Sequence, residues 1–219
     1  MRRCRVCRGD SLVSLLDLGP QPLCNRYLAR PDEEADCHPL GIGQCDACGV
    51  VQLLDPAPAG LLVSPFDWIT YNEAEGHLDH LTDVLCRLPG LPASARVCGV
   101  SYKDDTTVER LKRRGYADAW RIDPAELGVT DRRAGIETLQ AKLTPAAARR
   151  LAEKHGPADL LLVRHIFEHA HDPRGFAGAL GTLVRPGGYL VFEVPDCARA
   201  LDGLDYTTLW EEHVLYLTP

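Results

Sequence analysis

The stretch ADLLLVRHIFEHAHDPRGFAGALGTLVRPGGYLVFEVPD, Ala158 to Asp196, decides how the rest of this chain is read. Leu160 to Val163 is an unbroken apolar run, the pattern of a strand buried on both faces. A polar turn rich in histidine follows, His165 to Asp172. Next comes a helical pattern that places Phe176, Leu180, Leu183 and Val184 on one face. Gly187-Gly188 stops that helix, and Tyr189 to Val194 is a second buried strand. Strand, helix and strand in this order form a βαβ unit, so the two strands are expected to be parallel. Open parallel sheets take their ligands beyond the carboxyl ends of the strands. His165, Glu168, His169 and His171 after one strand, and Pro195 and Asp196 after the next, therefore fall on the functional edge.

Composition narrows the class. The 219 residues allow one large or two small domains, and 45% hydrophobic with 25% charged residues is ordinary for a soluble protein with a sizeable core. No apolar run approaches the ~18 residues of a membrane span and no export signal is evident, so a cytoplasmic location is expected. The net charge of −7 argues against duplex nucleic acid as the main partner, although the start, MRRCRVCR, is locally basic. Nine cysteines is a high count, and four of them form two C-x-x-C pairs. Without an export signal that favours metal over disulfides.

Those pairs are Cys4-Arg5-Val6-Cys7 and Cys45-Asp46-Ala47-Cys48, the second followed by Gly49, which relaxes the turn. Each pair can present two thiolates to one tetrahedral ion, and four thiolates leave no open position, which defines a structural zinc site. Cys24, Cys37 and His38 lie between the pairs as alternative ligands. Neither pair follows a strand and opens a helix, so a redox role is disfavoured. The reading is a zinc-binding domain over 1–60, closed by a strand at Val50 to Leu54 and a Pro/Ala/Gly linker at Asp55 to Gly60. A mostly helical connector over 61–92 follows, with Trp68, Tyr71, His77, Leu78, Leu81, Val84 and Leu85 near helical spacing from Ser64 to Leu88. Pro89-Gly90-Leu91-Pro92 marks the boundary to a second domain over 93–219.

That domain reads as α/β. Strands are expected at Arg96 to Val100, Asp118 to Ile122 and, shorter, Ile136 to Leu139. Helices are expected at Thr107 to Arg114, in a short piece capped by Asp123-Pro124, and from Thr144-Pro145 to His155-Gly156. The fourth and fifth strands are those of the opening stretch. His165 and His169 are spaced H-x-x-x-H, but one leaves a strand and Asp172-Pro173 starts the helix, so spacing alone does not put them on one helix face.

The order C..C, then LLDLG.QPL.N.YL, then C..CG..QL, together with DLLLVRHIFEHAHDP and PGGYLVFEVPD, resembles the zinc-containing S-adenosylmethionine-dependent sugar C-methyltransferases of deoxysugar and natural-product biosynthesis. The resemblance implies a Rossmann-like class I methyltransferase domain after the zinc domain. It implies structural zinc, S-adenosylmethionine as donor and a nucleotide-linked keto sugar as small-molecule substrate. The carbon next to the ketone would be methylated after loss of a proton. Glu212 and His213 match the family's Glu-His pair, with Trp210 in place of a tyrosine, so His213, oriented by Glu212, is the expected base. His169 and Tyr71 match positions bordering the substrate, and both also admit an ordinary packing role. At the donor loop the chain departs from the family. Gly99 stands at its acidic position, and Ser101 and Asp105 stand at its two glycines. Asp123 sits where an acid receives ribose hydroxyls, and Arg164 is counted with the donor set. Asp105 is expected to face the donor's carboxylate, with Lys103 able to offset its charge. The alternative is therefore a methyltransferase-like protein with a degenerate donor site, serving as a binding or partner module or running other chemistry. The domain reads as truncated after strand five, which implies either a longer protein or an oligomer that covers the sheet edge.

Overall fold

The computed structural model describes residues 2–69 and 72–219. After the first cysteine pair, β1 (Leu12–Pro22) and β2 (Cys37–Cys45) form an antiparallel pair with two register shifts. The glycines of Gly41-Ile42-Gly43 let the strands close. A Cβ on Gly41 would lie 2.9 Å from the Leu16 carbonyl oxygen, and one on Gly43 would lie 2.6 Å from that of Val13. β3 (Val51–Leu53) extends the sheet, and its residues pack with Leu40 and Ile42 into a small core.

The expected linker at Asp55 to Gly60 gives way at its end to α1 (Ala59–Leu62). The mostly helical reading of Ser64 to Leu88 is corrected: among the described residues of that range the helix is α2 (Leu78–Leu85) alone. Ser64 turns its hydroxyl onto the backbone of Phe66, Pro65 disfavours a helical residue before it, and Gly76 sits just before the helix that does form. Trp68, read as part of the helix's apolar face, is exposed. Tyr71 lies outside the described residues.

The α/β lobe begins with β4 (Val97–Gly99), α3 (Asp105–Arg113) and β5 (Ala119–Arg121). Asp123 then caps a tight helical turn at Pro124–Leu127, as its Asp-Pro sequence implies. The expected third strand at Ile136 to Leu139 is instead α4 (Ile136–Lys142). Ile136, Leu139 and Leu143 recur at helical spacing and are all buried, which an alternating strand cannot achieve. α5 (Pro145–His155) has the Thr144 cap and Gly156 stop that were expected. β6 (Ala158–Arg164), α6 (Pro173–Leu183) and β7 (Val184–Glu193) form the βαβ unit; Gly187-Gly188, expected to stop the helix, lies instead inside β7, in the irregular stretch between the Val184 and Tyr189 pairings. Short α7 (Ala198–Asp202) and β8 (Leu215–Tyr216) complete the chain.

Among the described residues the parallel sheet has four strands, ordered β5-β4-β6-β7, rather than the five expected. β6 is central, and both its faces are covered. Leu160 and Leu162 pack with Val97, Val108 and Leu111 on one side, while Leu161 and Val163 pack with Phe176, Leu180 and α5 on the other. That double burial is why Leu160 to Val163 shows no alternation.

β8 leaves the α/β lobe and joins the other sheet. Val51 pairs with Tyr216 and Gln52 with Leu215, giving the order β1-β2-β3-β8. The chain's last segment thus belongs structurally to the first lobe, and it draws that lobe over the carboxyl edge of the parallel sheet. Among the described residues no helix is long and apolar enough to cross a membrane.

The close approach at Gly43 is testable. Gly43→Ala should destabilise the protein by about 1–3 kcal/mol, as overpacking against backbone does. Gly60→Ala, where nothing lies within 4 Å of the added Cβ, should leave thermal stability unchanged or slightly raised.

Candidate functional site

The two cysteine pairs converge as their spacing implied. One sulfur from each of Cys4, Cys7, Cys45 and Cys48 lies within 4.8 Å of the others. Cys4 and Cys48 sulfurs are 3.6 Å apart, and those of Cys7 and Cys45 are 3.5 Å apart. Zn–S bonds of about 2.3 Å in a tetrahedron put sulfurs about 3.8 Å apart, so the donor set fits zinc. The backbone N–H of Cys7 donates to the Cys4 sulfur. Cys24, Cys37 and His38 stand outside the cluster, and His38 meets the Asp55 carbonyl instead. The first knuckle also grips the other lobe. Arg5 donates to the His171 carbonyl at 2.8 Å, and Arg8 pairs with Asp172 at 2.8 Å. The zinc lobe therefore anchors the turn that carries the histidines.

After β4 the chain makes a tight loop organised by Asp104, which is fully buried. Its carboxylate accepts the N–H groups of Val100 at 2.8 Å, Ser101 at 2.9 Å and Arg164 at 3.1 Å, joining β4 to β6. Burial pushes the Asp104 carboxyl up to about 7, against the pull of those three donors. Gly99 is glycine because a Cβ there would lie 2.7 Å from the Asp104 Cβ. Asp105 does not face the cavity. It begins α3 and pairs with Arg121 at 2.6 Å. Tyr102 and Lys103 are the loop residues that reach the cavity, and Lys103 pairs with Glu73 at 2.7 Å.

Beneath the cavity floor, Arg164 is 2% exposed and bonds Glu193 and the Lys103 carbonyl. Glu193 also accepts from His165 at 3.0 Å and meets His77 at 2.9 Å. Burial favours the neutral acid of Glu193, but His165 and Arg164 outweigh it and hold the carboxyl far below the ordinary range. His165 itself adopts φ +48°, a left-handed conformation uncommon outside glycine.

The cavity, about 990 Å³, lies between the lobes at the carboxyl edge of the parallel sheet. Its walls come from the loops after β4, β6 and β7, the approach to α4, the zinc lobe at Asn25 and the last segment at Trp210, Glu212 and His213. His169 Nδ1 bonds the Glu137 carboxylate, and both are buried. Burial lowers the His169 imidazole's affinity for a proton, but Glu137 outweighs that and raises it. The His213 ring stacks on Trp210 with centroids 6.0 Å apart and meets the His169 ring edge-on at 4.8 Å. Burial, then the neighbouring His169, push His213 down to about 4, so it is neutral at pH 7. Glu212 turns to Asn25 at 3.4 Å, so the flanks of His213 are Trp210 and His169 rather than the Glu212 carboxylate. Near the rim, Tyr27, Phe66 and Trp68 form a cluster of three rings, with Tyr27 stacked on Trp68 and Phe66 tilted against both.

The structure thus brings His169, Glu212 and His213 together in the cavity. Gly99, Ser101, Asp105, Asp123 and Arg164 do not line it, and Arg164 supports its floor. Sequence reasoning missed Glu137, because its segment was read as a strand. It also missed Asp104, although Ser101-x-x-Asp104 has the form of a capping box, which the structure contains.

Compared with known proteins, residues 4–62 match the family described as "Putative zinc binding domain". Residues 81–218 match the family described as "Methyltransferase domain". A Ubiquinone biosynthesis O-methyltransferase of Caulobacter vibrioides is 32% identical over 114 residues, 51% of this chain and 44% of that protein. One from Caulobacter sp. strain K31 is 30% identical over 114 residues, with the same shares of 51% and 44%. The matched region spans a little under half the length of these curated relatives.

Two outcomes are expected. Cobalt-substituted protein should show thiolate-to-cobalt charge-transfer absorption, and Cys45→Ser should abolish or displace it; an unaltered spectrum would remove Cys45 from the cluster. The Glu193 carboxyl is depressed on folding, so its stabilisation is present above its ordinary value of 4.5 and is lost as pH falls below it. Glu193→Gln should cost about 3–5 kcal/mol at pH 7, by leaving Arg164 buried without its counter-ion. It should also flatten the acid side of the stability–pH curve, measured by urea denaturation between pH 7 and pH 3.

Proposed function

Because the chain belongs to the methyltransferase-domain family through residues 81–218, we propose that it transfers a methyl group from S-adenosylmethionine to a small acceptor bound between its lobes. The observation that supports this reading is the cavity's position, at the carboxyl edge of an open parallel sheet and against the loops after β4, β6 and β7. S-adenosylmethionine, when bound, supplies an electrophilic methyl group. On this chain's side, the Lys103 ammonium suits the donor's carboxylate. Asp123, at the turn beyond β5, suits its ribose hydroxyls. Asp104 already occupies the loop's N–H groups and Asp105 is paired with Arg121. The donor's amino-acid end is thus received by side chains of this loop rather than by a glycine backbone.

The opposite wall suits an acceptor that must lose a proton before it attacks. His213, neutral and stacked on Trp210, takes that proton, while His169 and Glu212 hold the acceptor's oxygens. A keto sugar on a nucleotide carrier meets this chemistry, and the resemblance of the Glu212-His213 stretch and the cysteine-rich lobe to the sugar C-methyltransferases supports that acceptor. A second reading is methylation of a hydroxyl oxygen, favoured by the relatives named as O-methyltransferases. There His213 takes the hydroxyl proton.

Calorimetric titration of S-adenosylmethionine and its demethylated product is the test. Lys103→Met and Asp123→Ala should each weaken binding by about 10-fold to 100-fold, the worth of a hydrogen bond to a charged group. Asp105→Gly should change affinity by less than about threefold, because its carboxylate belongs to Arg121. No binding of either compound to the native protein would sink the reading and leave the partner-module alternative. Deuterium exchange at the carbon beside a ketone, lost in His213→Ala, would favour the sugar acceptor over the hydroxyl.

A further inference from the structure

We propose that Glu168, His169 and His213 form a second metal centre, distinct from the cysteine cluster, which takes one first-row divalent cation in the cavity. One donor atom from each residue lies within 4.8 Å of the other two. Two imidazoles and one carboxylate occupy only part of a coordination sphere. The remaining positions open toward the cavity that all three residues line. This donor set suits Mn(II), Fe(II), Co(II) or Zn(II).

Independent features point to an ion. Glu168 is 2% exposed, and its Oε2 has no hydrogen-bond partner. A buried carboxylate oxygen without a donor is strongly disfavoured, and a cation at this point would satisfy it. His169 uses Nδ1 on the Glu137 carboxylate, which leaves Nε2 for a ligand. A carboxylate behind an imidazole is the usual way a metal-binding histidine is fixed in orientation and tautomer. The histidines come from distant parts of the chain, one from the turn after β6 and one from the segment before β8. Their rings meet at 84°, edge to face, rather than stacked out of reach. The two centres also differ in chemistry: four thiolates select zinc, whereas imidazole and carboxylate accept harder ions such as Mn(II).

The ion site stands on this geometry alone, and only its use in catalysis rests on the methyl-transfer reading. In that use the ion binds the acceptor's ketone or hydroxyl oxygen and makes the adjacent proton more acidic. His169 and His213 would then be ligands, the ion would activate the acceptor, and Glu212, which lines the same cavity, would be the group that takes the proton.

The test is titration of the zinc-loaded protein with Mn(II) alone, followed by electron paramagnetic resonance of the free aqueous ion. About one Mn(II) per chain should bind. Glu168→Gln and His213→Ala should each weaken it by about 100-fold or more, and Glu137→Gln by about 10-fold to 100-fold. Circular dichroism melts report whether each variant folds. Should Glu168→Gln fail to fold, His213→Ala at the cavity wall carries the test. Absence of Mn(II) binding, or binding unchanged in His213→Ala, would overturn the proposal. Mn(II) binding as described, without methyl-donor binding, would leave the ion site standing and sink the methyl-transfer reading. Methyl transfer that survives a chelator in protein that binds no Mn(II) would do the reverse.

Discussion

Two residues at the end of the chain, Leu215 and Tyr216, hold the molecule in its working shape by pairing with Val51 and Gln52. All four are nearly inaccessible to solvent. The pairing makes the last segment a strand of the zinc-lobe sheet and swings Trp210, Glu212 and His213 over the carboxyl edge of the parallel sheet. Without it there would be an open sheet edge and a separate small lobe. With it there is a walled cavity whose polar residues come from both ends of the chain.

A small lobe with one thin core has little apolar burial to stabilise it, and a four-thiolate ion supplies the cross-link that such a lobe lacks. Here the cross-link also reaches the other lobe. Arg5 and Arg8 flank the knuckle and grip His171 and Asp172, so an ion held by the knuckle would fix the turn that leads from His165 through His169 into α6. The cysteine cluster thereby bears on the site without lining the cavity.

Below the cavity the polar groups are buried but matched. Asp104 takes three backbone N–H groups from two neighbouring strands, and Arg164 is neutralised by Glu193. In a low-dielectric interior such groups are stable only when satisfied, and once satisfied they are rigid. Among the described residues the buried side-chain atoms without a partner are Glu168 Oε2 and Glu137 Oε2 at the cavity wall, and Thr106 Oγ1, Thr107 Oγ1 and His171 Nε2 away from it. Only the two carboxylate oxygens belong to residues that line the cavity, and they mark where a bound species belongs.

Local chemistry was legible wherever neighbouring residues decide it. The double-sided burial of Leu160 to Val163, the Thr144-Pro145 helix start, the Asp123-Pro124 cap and the two C-x-x-C knuckles each depend on a few adjacent side chains, and each appears in the structure as its sequence implies. Sequence alone thus determined the α/β class, the parallel βαβ core and the donor set of the cysteine cluster. It failed at Ile136 to Leu139, too short a run for its period to separate strand from helix, and at the described residues 64–69 and 72–76, where scattered apolar residues imitate helical spacing. Tertiary structure alone decided that β8 crosses to the zinc lobe, that Glu137 stands behind His169, and that His213 lies beside His169 rather than beside a Glu212 orienter. The physical reason is that these contacts join residues tens to more than a hundred positions apart. Their geometry follows from how two sheets pack, and no local spacing carries that information.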